Sequence, residues 1–277
     1  WSNRHFTWGL EHFHNNIDFI NRTLANYIVV SGSQHICNIN YQDVLQEHKS
    51  SGADVTVIYK KVDELYPEHQ RAHKLDVDEN NRVTAIHNDH SNNNVYMDMY
   101  IIEKDLLYNL IEKCIAHGCS HFFLDGIKAQ LPEINIHAYE YHGGHALVNS
   151  VESYYRNSAK LLNPEEHDEL FKDDAPVFTK IKNEAPSNYT VTSNVSNTMV
   201  ANGCVIEGHV EDSILFRGVK VAEGAVIKNS IIMQRCEIDS NAVLENVILD
   251  KDCNISNGKT LIGAPEKPYV VAKRRTM

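Results

Sequence analysis

Nowhere does the chain approach the roughly 20 consecutive apolar residues that a membrane-spanning helix needs, and its start has neither a basic nor an apolar segment of secretory type. A cytoplasmic protein is expected from these absences. Basic runs are scarce too: 26 Lys and Arg stand against 37 Asp and Glu, a formal charge of −11, and the first cationic cluster is Lys273-Arg274-Arg275. Such a chain is repelled by phosphate backbones and anionic lipid, which argues against nucleic acid or membrane as partners. The six cysteines are scattered without a Cys-x-x-Cys pair, so free thiols are expected. The first residue is Trp1 rather than Met, and no strand with a Gly-rich turn precedes the first helical segment. A natural start ahead of Trp1 is expected.

What the chain does have is a repeat. From Cys204 to Leu261 the residues recur with a period of 17: Ser213-Ile214-Leu215 returns as Ser230-Ile231-Ile232 and as Val247-Ile248-Leu249, and Val221 to Val226 returns as Ile238 to Val243. One such repeat cannot enclose a core, so each must stack on the next. Aliphatic residues about six apart predict three short strands per coil and a left-handed parallel β-helix, an exception to the usual right-handed crossover. Cys236 and Cys253 are one repeat apart and are expected to stack as small apolar residues inside the coils, with Cys204 a comparable distance earlier.

The first part of the chain is not repetitive. Phe13, Ile17, Ile20 and Leu24 predict a helix over 11–25, followed by a buried strand at Tyr27-Ile28-Val29-Val30 and a loop at Ser31-Gly32-Ser33. Helix is predicted over Tyr41–Ser51, strand over Asp54–Tyr59, and an amphipathic helix over Leu106–His117 closed by Gly118. Alternation of this kind predicts an α/β sheet, largely parallel, with ligand chemistry beyond the strand ends at residues 31–40. Residues 163–190, with three prolines and little periodicity, read as a linker or surface arm.

Five blocks occur in the order found in bacterial ADP-glucose pyrophosphorylases (glucose-1-phosphate adenylyltransferases): Asn16-Ile17-Asp18-Phe19-Ile20, Tyr27 to Gly32, Gly52-Ala53-Asp54-Val55-Thr56, Val151-Glu152-Ser153-Tyr154-Tyr155, and Gly203 to Gly208. The chain resembles that family along essentially its whole length. The resemblance implies a nucleotidyltransferase-like α/β domain with an incomplete Rossmann-like sheet over residues 1–162, an arm over 163–194 and a left-handed β-helix over 195–277. It also implies a reaction joining ATP and glucose 1-phosphate with Mg²⁺, a family Gly-rich nucleotide loop lying before Trp1, and use of the β-helix in assembly and allosteric control.

At three positions the chain departs from that pattern. Where catalytic members read like SGDHIYKMDY, this chain reads Ser31 to Tyr41 with Gln34 in place of the first metal-binding aspartate. The segment like FEEKP becomes Ile86-His87-Asn88-Asp89-His90, so Asp89 replaces the phosphate-binding lysine. The WxDVGT segment becomes His145-Ala146-Leu147-Val148-Asn149-Ser150, with Leu147 in place of the second metal-binding aspartate. An amide binds Mg²⁺ weakly, leucine does not bind it, and an aspartate repels a phosphate dianion. Losing metal stabilisation of several kcal/mol costs decades of rate at about 1.4 kcal/mol per decade. The expected state is a retired site with no catalytic residues and no cofactor of its own. By resemblance the chain is the regulatory relative that associates with a competent catalytic subunit as a hetero-oligomer. Rival readings are a weakly active nucleotidyltransferase and a β-helix acyltransferase. The latter fits poorly, since His209 is the only histidine from Asn194 onward.

Among sixteen histidines, His12-x-His14, His69-x-x-x-His73 and His142-Gly143-Gly144-His145 have ligand-like spacing but lack the Cys, Asp or Glu companions of common zinc sites. They are expected to be solvated, not metal-binding. The run Asn92-Asn93-Asn94 is expected to form a connecting loop. Lys273, Arg274 and Arg275 are the effector-anion candidates that the family implies; the alternative is a frayed terminus.

Overall fold

The structure is a computed structural model that describes residues 9–172, 175–179 and 182–277. The chain divides into two compact units, Trp1–His145 and Ala146–Met277. Among the described residues no helix is long and apolar enough to cross a membrane.

In the first unit the helix expected over 11–25 is broken at Asn16, whose backbone (φ −112°, ψ 12°) separates α1 (Leu10–Asn15) from α2 (Ile17–Arg22). After β1 (Tyr27–Ser31) and a short β2 (His35–Cys37) comes α3 (Tyr41–Ser51). Its first turn is capped by the Asn40 side chain, which accepts from the Gln42 amide at 3.0 Å, and its last turn is closed by Gly52 at φ 59°. Then follow β3 (Val55–Lys61), β4 (Lys74–Val77), β5 (Val83–His87), β6 (Asn94–Glu103), α4 (Lys104–Ala116) and β7 (Ile136–Glu140).

The sheet runs β5-β4-β6-β3-β7, and β1 lies beside β4 on the same edge of β6. A largely parallel sheet was the expectation, and it is corrected here. Only β3 and β7 pair in parallel, while β6 runs against β1, β3 and β4. β1, β3 and β7 do share one direction, as their alternation with helices suggests, but β6 returns from the β4–β5 hairpin through a short loop and is inserted between them in the opposite sense.

Period-two alternation distributes the apolar residues over both faces. Val55, Val57, Tyr96, Tyr100 and Ile102 face α4 through Leu107, Leu110 and Ile111. Ile58, Met97, Met99 and Ile101 face Val44 of α3. The pairing of β3 with β6 slips between Ile58 and Tyr59, which oppose Met99 and Tyr96 respectively, leaving Met97 and Asp98 as a bulge. Asp98 sits there at φ 54°, a left-handed angle that Asp tolerates better than most residues.

The second unit holds α5 (Val151–Lys160), α6 (Pro164–Leu170) and a β-solenoid. α6 occupies part of the stretch read as a linker. Pro164 at its first position and the Asn163 side chain accepting from the Glu165 amide at 3.0 Å are sufficient to start a helix there. α5 is fixed to the solenoid by Tyr155, whose hydroxyl donates to the Asn229 carbonyl at 2.5 Å and lies 3.1 Å from Asn246 Oδ1.

Three five-stranded parallel sheets make the solenoid walls, including the expected triplet strands at Ile214–Leu215, Ile231–Ile232 and Val247–Leu249. Val226 pairs with Val243, and Val221 with Ile238, so the 17-residue repeat is one coil. One coil near the start is shorter: Asn194 pairs with His209 and Val205 with Lys220, 15 residues on in each case, after Asn188 has paired with Val205 at the full spacing of 17. Inside run columns such as Ile206, Val221, Ile238 and Ile255, each 1% exposed or less. Cys204, Val219, Cys236 and Cys253 form another, and all six cysteines are free, as expected. The corners are columns as well. Asn197, Asp212, Asn229 and Asn246 all have positive φ, as do Gly203, Gly218, Arg235 and Asp252, and also Gly224, Asn241 and Gly258.

The final residues complete this architecture. Tyr269–Val271 pairs with Val247–Leu249, Met277 packs against the core, and its amide donates to the Asn254 carbonyl at 3.0 Å. The terminus is therefore not frayed, and the segment after Leu261 forms a further strand.

Candidate functional site

In the first unit, polar groups gather where β1 ends. The Gly32 amide donates to the Asp98 carbonyl at 2.8 Å, and a Cβ on Gly32 would overlap the Asp98 carboxylate. Glycine allows this approach without displacing the carboxylate. Burial raises the Asp98 carboxyl to about 7. Tyr96 and Tyr100 flank it on β6; both hydroxyls are buried and have no hydrogen-bond partner among the described residues. Burial, and then the Asp98 charge, push both phenols well above their ordinary range. One carboxyl group near half-protonation at neutral pH and two unsatisfied hydroxyls thus lie together behind the β1 loop.

The same loop continues through Gln34, half-buried, to His35. His35 Nδ1 lies 2.8 Å from His145 Nε2, and the rings stack with centroids 5.1 Å apart. One of the two nitrogens must carry the hydrogen. Burial, followed by the neighbouring His145 and His69, lowers His35 to about 3, so it is uncharged at neutral pH. The His142-Gly143-Gly144-His145 turn is held structurally: Lys60 Nζ donates to the Gly143 carbonyl at 2.9 Å and Tyr141 Oη to the Gly144 carbonyl at 3.2 Å. His69 is buried, and its Nδ1 accepts from the Tyr66 amide at 3.0 Å.

Asp89 is exposed in the loop between β5 and β6. Its Oδ1 accepts from the Ser91 amide and hydroxyl, both at 2.8 Å, and these bonds hold its carboxyl below the ordinary range. The Asn92 side chain accepts from the Asn94 amide in the same loop. Asp89 also opposes the effect of burial on Lys74, which is fully enclosed and donates to the His69 and Ala72 carbonyls. Leu147 lies in the second unit, buried, with its carbonyl accepting from Asn157 Nδ2 at 3.0 Å.

Among the described residues no group of three or more His, Cys, Asp or Glu is arranged to hold a metal ion. The Mg²⁺ implied by the resemblance does not fit the donors present: an amide at position 34, a hydrocarbon at 147, and Asp98 as a single half-buried carboxyl.

Lys273, Arg274 and Arg275 lie on the last coil of the second unit. Arg274 Nε is 4.0 Å from Asp252 Oδ2, and Arg235 Nε is 2.7 Å from Asp252 Oδ1. Arg235, then burial acting oppositely, and then Lys273 and Arg274 act on the Asp252 carboxyl, whose net shift is downward. Arg275 contributes its carbonyl to the Asn254 amide. Arg235 also lines a groove of about 230 Å³ with Lys182, Arg217 and Glu184.

The residues that sequence reasoning missed are Asp98, Tyr96 and Tyr100. The available signal was one carboxylate inside the otherwise apolar run from Val95 to Ile102.

Residues 183–268 match the family model described as GlmU-like, C-terminal hexapeptide. The glycogen biosynthesis protein GlgD of Bacillus subtilis is 34% identical over 216 residues, covering 78% of this chain and 53% of that protein. GlgD of Geobacillus stearothermophilus is 37% identical over 216 residues, with the same two coverages. A glucose-1-phosphate adenylyltransferase of Mycoplasma mobile is 30% identical over 222 residues, covering 77% of this chain and 57% of that enzyme. The chain thus spans about half the length of these relatives.

Proposed function

Because the chain belongs to the family that contains GlgD and the glucose-1-phosphate adenylyltransferases, we propose that it is a regulatory, catalytically deficient subunit of glycogen biosynthesis that works by associating with a catalytic paralogue. The observation that carries this reading is the donor set: Gln34, Asp89 and Leu147 stand at the three positions where catalytic members have two metal-binding aspartates and a phosphate-binding lysine. Nucleotidyl transfer needs carboxylates to hold the divalent ion that screens the phosphates. The Asp89 carboxylate, held ionised by Ser91, adds repulsion toward a sugar phosphate.

The part left to this chain is binding and shape. Its solenoid offers a stiff surface, and the cations on its last coil with Arg217 and Arg235 supply the charge that a phosphorylated effector would meet. A cytoplasmic location goes with this reading. No cofactor is assigned to the chain itself.

Three results are expected. Pyrophosphate release from ATP and glucose 1-phosphate by the full-length protein should be decades below that of a competent relative. The triple variant Gln34→Asp, Asp89→Lys, Leu147→Asp should raise it above any single change, because the two aspartates supply metal donors and the lysine removes the repulsion. High activity of the unmodified protein would instead favour the reading of an active nucleotidyltransferase. Co-expression with the catalytic paralogue should give a co-purifying hetero-oligomer with altered turnover or effector response; no association and no kinetic change would defeat the regulatory reading.

A further inference from the structure

Helix α4 ends in a compact motif. The Cys119 amide donates to the Cys114 carbonyl at 3.0 Å, the Gly118 amide to the Ile115 carbonyl at 3.2 Å, and Gly118 adopts φ 66°. This pair of crossed bonds is the Schellman closure, which places the side chains at its two outer positions against each other. Here both positions are cysteine. Of the groups around it, the Cys119 thiol is one that raises the Cys114 thiol. Cys114 is 3% exposed, and Cys119 is partly open to solvent. Gly126 leaves the space that the Cys114 sulfur fills, since a Cβ there would come within 2.9 Å of it.

We propose that Cys114 and Cys119 form a thiol–disulfide exchange site, in which Cys119 reacts with a low-molecular-weight disulfide and Cys114 closes the intramolecular bond. The Cys119 thiolate attacks one sulfur of a reagent such as glutathione disulfide, breaking its S–S bond. The released thiolate takes up a proton. The Cys114 sulfur then gives up its proton, attacks the Cys119 sulfur of the mixed disulfide and expels the second small thiol. Two protein thiols are oxidised and one disulfide is reduced to two thiols. Burial, and then the neighbouring Cys119 thiol, push the Cys114 thiol up to about 12, so little of it is thiolate at neutral pH and it must lose its proton as it closes the bond.

The other cysteines do not offer this combination. Cys236 and Cys253 also touch, on neighbouring coils, but they are 0% and 1% exposed within the solenoid and present no sulfur to a reagent. Cys204 is buried, and Cys37, partly exposed, has no thiol partner in the contacts described.

The test is to equilibrate the unmodified full chain with reduced and oxidised glutathione at graded ratios, block free thiols by alkylation and map peptides by mass. Loss of two hydrogens on a peptide linking positions 114 and 119, reversed by dithiothreitol, is expected. Cys114→Ser should hold a persistent glutathione adduct at Cys119, and Cys119→Ser should leave Cys114 free. If both thiols remain alkylatable in fully oxidised glutathione, or if the bond forms between 236 and 253 instead, the proposal is overturned. Mapping the unmodified chain decides the matter even if either variant fails to fold.

Discussion

Replacing Ile238 by aspartate is expected to lower the stability of the solenoid unit by several kcal/mol. Ile238 is 1% exposed in a column with Val221 before it and Ile255 after it. The change removes about 1.5–3 kcal/mol of apolar burial and encloses a carboxyl group with no partner, at a further cost of a few kcal/mol. Each coil is stabilised mainly by its neighbours, so the loss should spread along the stack. The adjacent position is a built-in control. Glu237 points outward and pairs with Lys220 at 2.7 Å, with both side chains roughly half exposed and the pair screened by solvent, so Glu237→Gln should cost little. Thermal and denaturant unfolding of both variants checks this; similar behaviour of the two would mean that the inward and outward positions are wrongly assigned.

Asp98→Asn should stabilise the first unit at alkaline pH and have much less effect in acid. The Asp98 carboxyl has an ordinary value of 3.8 and sits at about 7 in the folded chain. The folded state therefore holds a proton that the unfolded chain releases. The contribution of this group to wild-type stability is greatest below the ordinary value, falls as pH rises from about 4 toward 7, and levels off above that. A gap of about three pH units at about 1.4 kcal/mol each sets an upper figure of about 4 kcal/mol. Asparagine keeps the shape, accepts the left-handed backbone at φ 54° and does not ionise there. Denaturant midpoints at pH 5 and pH 8 should show the variant pulling ahead of wild type at the higher value. Parallel behaviour at both would place the carboxylate in water, ionised.

What could be read from sequence depended on how local its cause was. The solenoid was legible because its register repeats within 17 residues, and Ile231-Ile232 falls on a strand as its repeats do. Helix α3 was legible over Tyr41–Ser51, and the structure adds the cap at Asn40 and the left-handed close at Gly52. The sense of β6 was not, because strand direction follows from which partners a strand finds rather than from its own residues. Nor was the bulge at Asp98: Val95–Ile102 reads as an ordinary apolar strand, and the slip opposite Ile58 and Tyr59 is a property of the pair. Gln34, Asp89 and Leu147 were singled out through resemblance alone. The structure adds that Gln34 is half-buried, Asp89 exposed and Leu147 enclosed. The His35–His145 contact joins residues 110 apart, a distance no spacing rule spans.

The columns of left-handed corners bear on how such a solenoid changes over evolution. Asn229 and Asn246, Arg235 and Asp252, and Gly224 and Asn241 repeat the same backbone bend one coil apart. A duplication or deletion of 17 residues cut at equivalent corners joins one left-handed residue to another, keeps every aliphatic column in phase and shifts the outer surface by one strand spacing, about 4.8 Å. A change of length within a strand would rotate side chains out of their columns, whereas the 15-residue coil, short between Ile206 and His209, keeps Ile206 and Val221 in one column. The height of the stack therefore changes only by whole coils, and any partner that grips two points on its wall would sense each step as a fixed displacement.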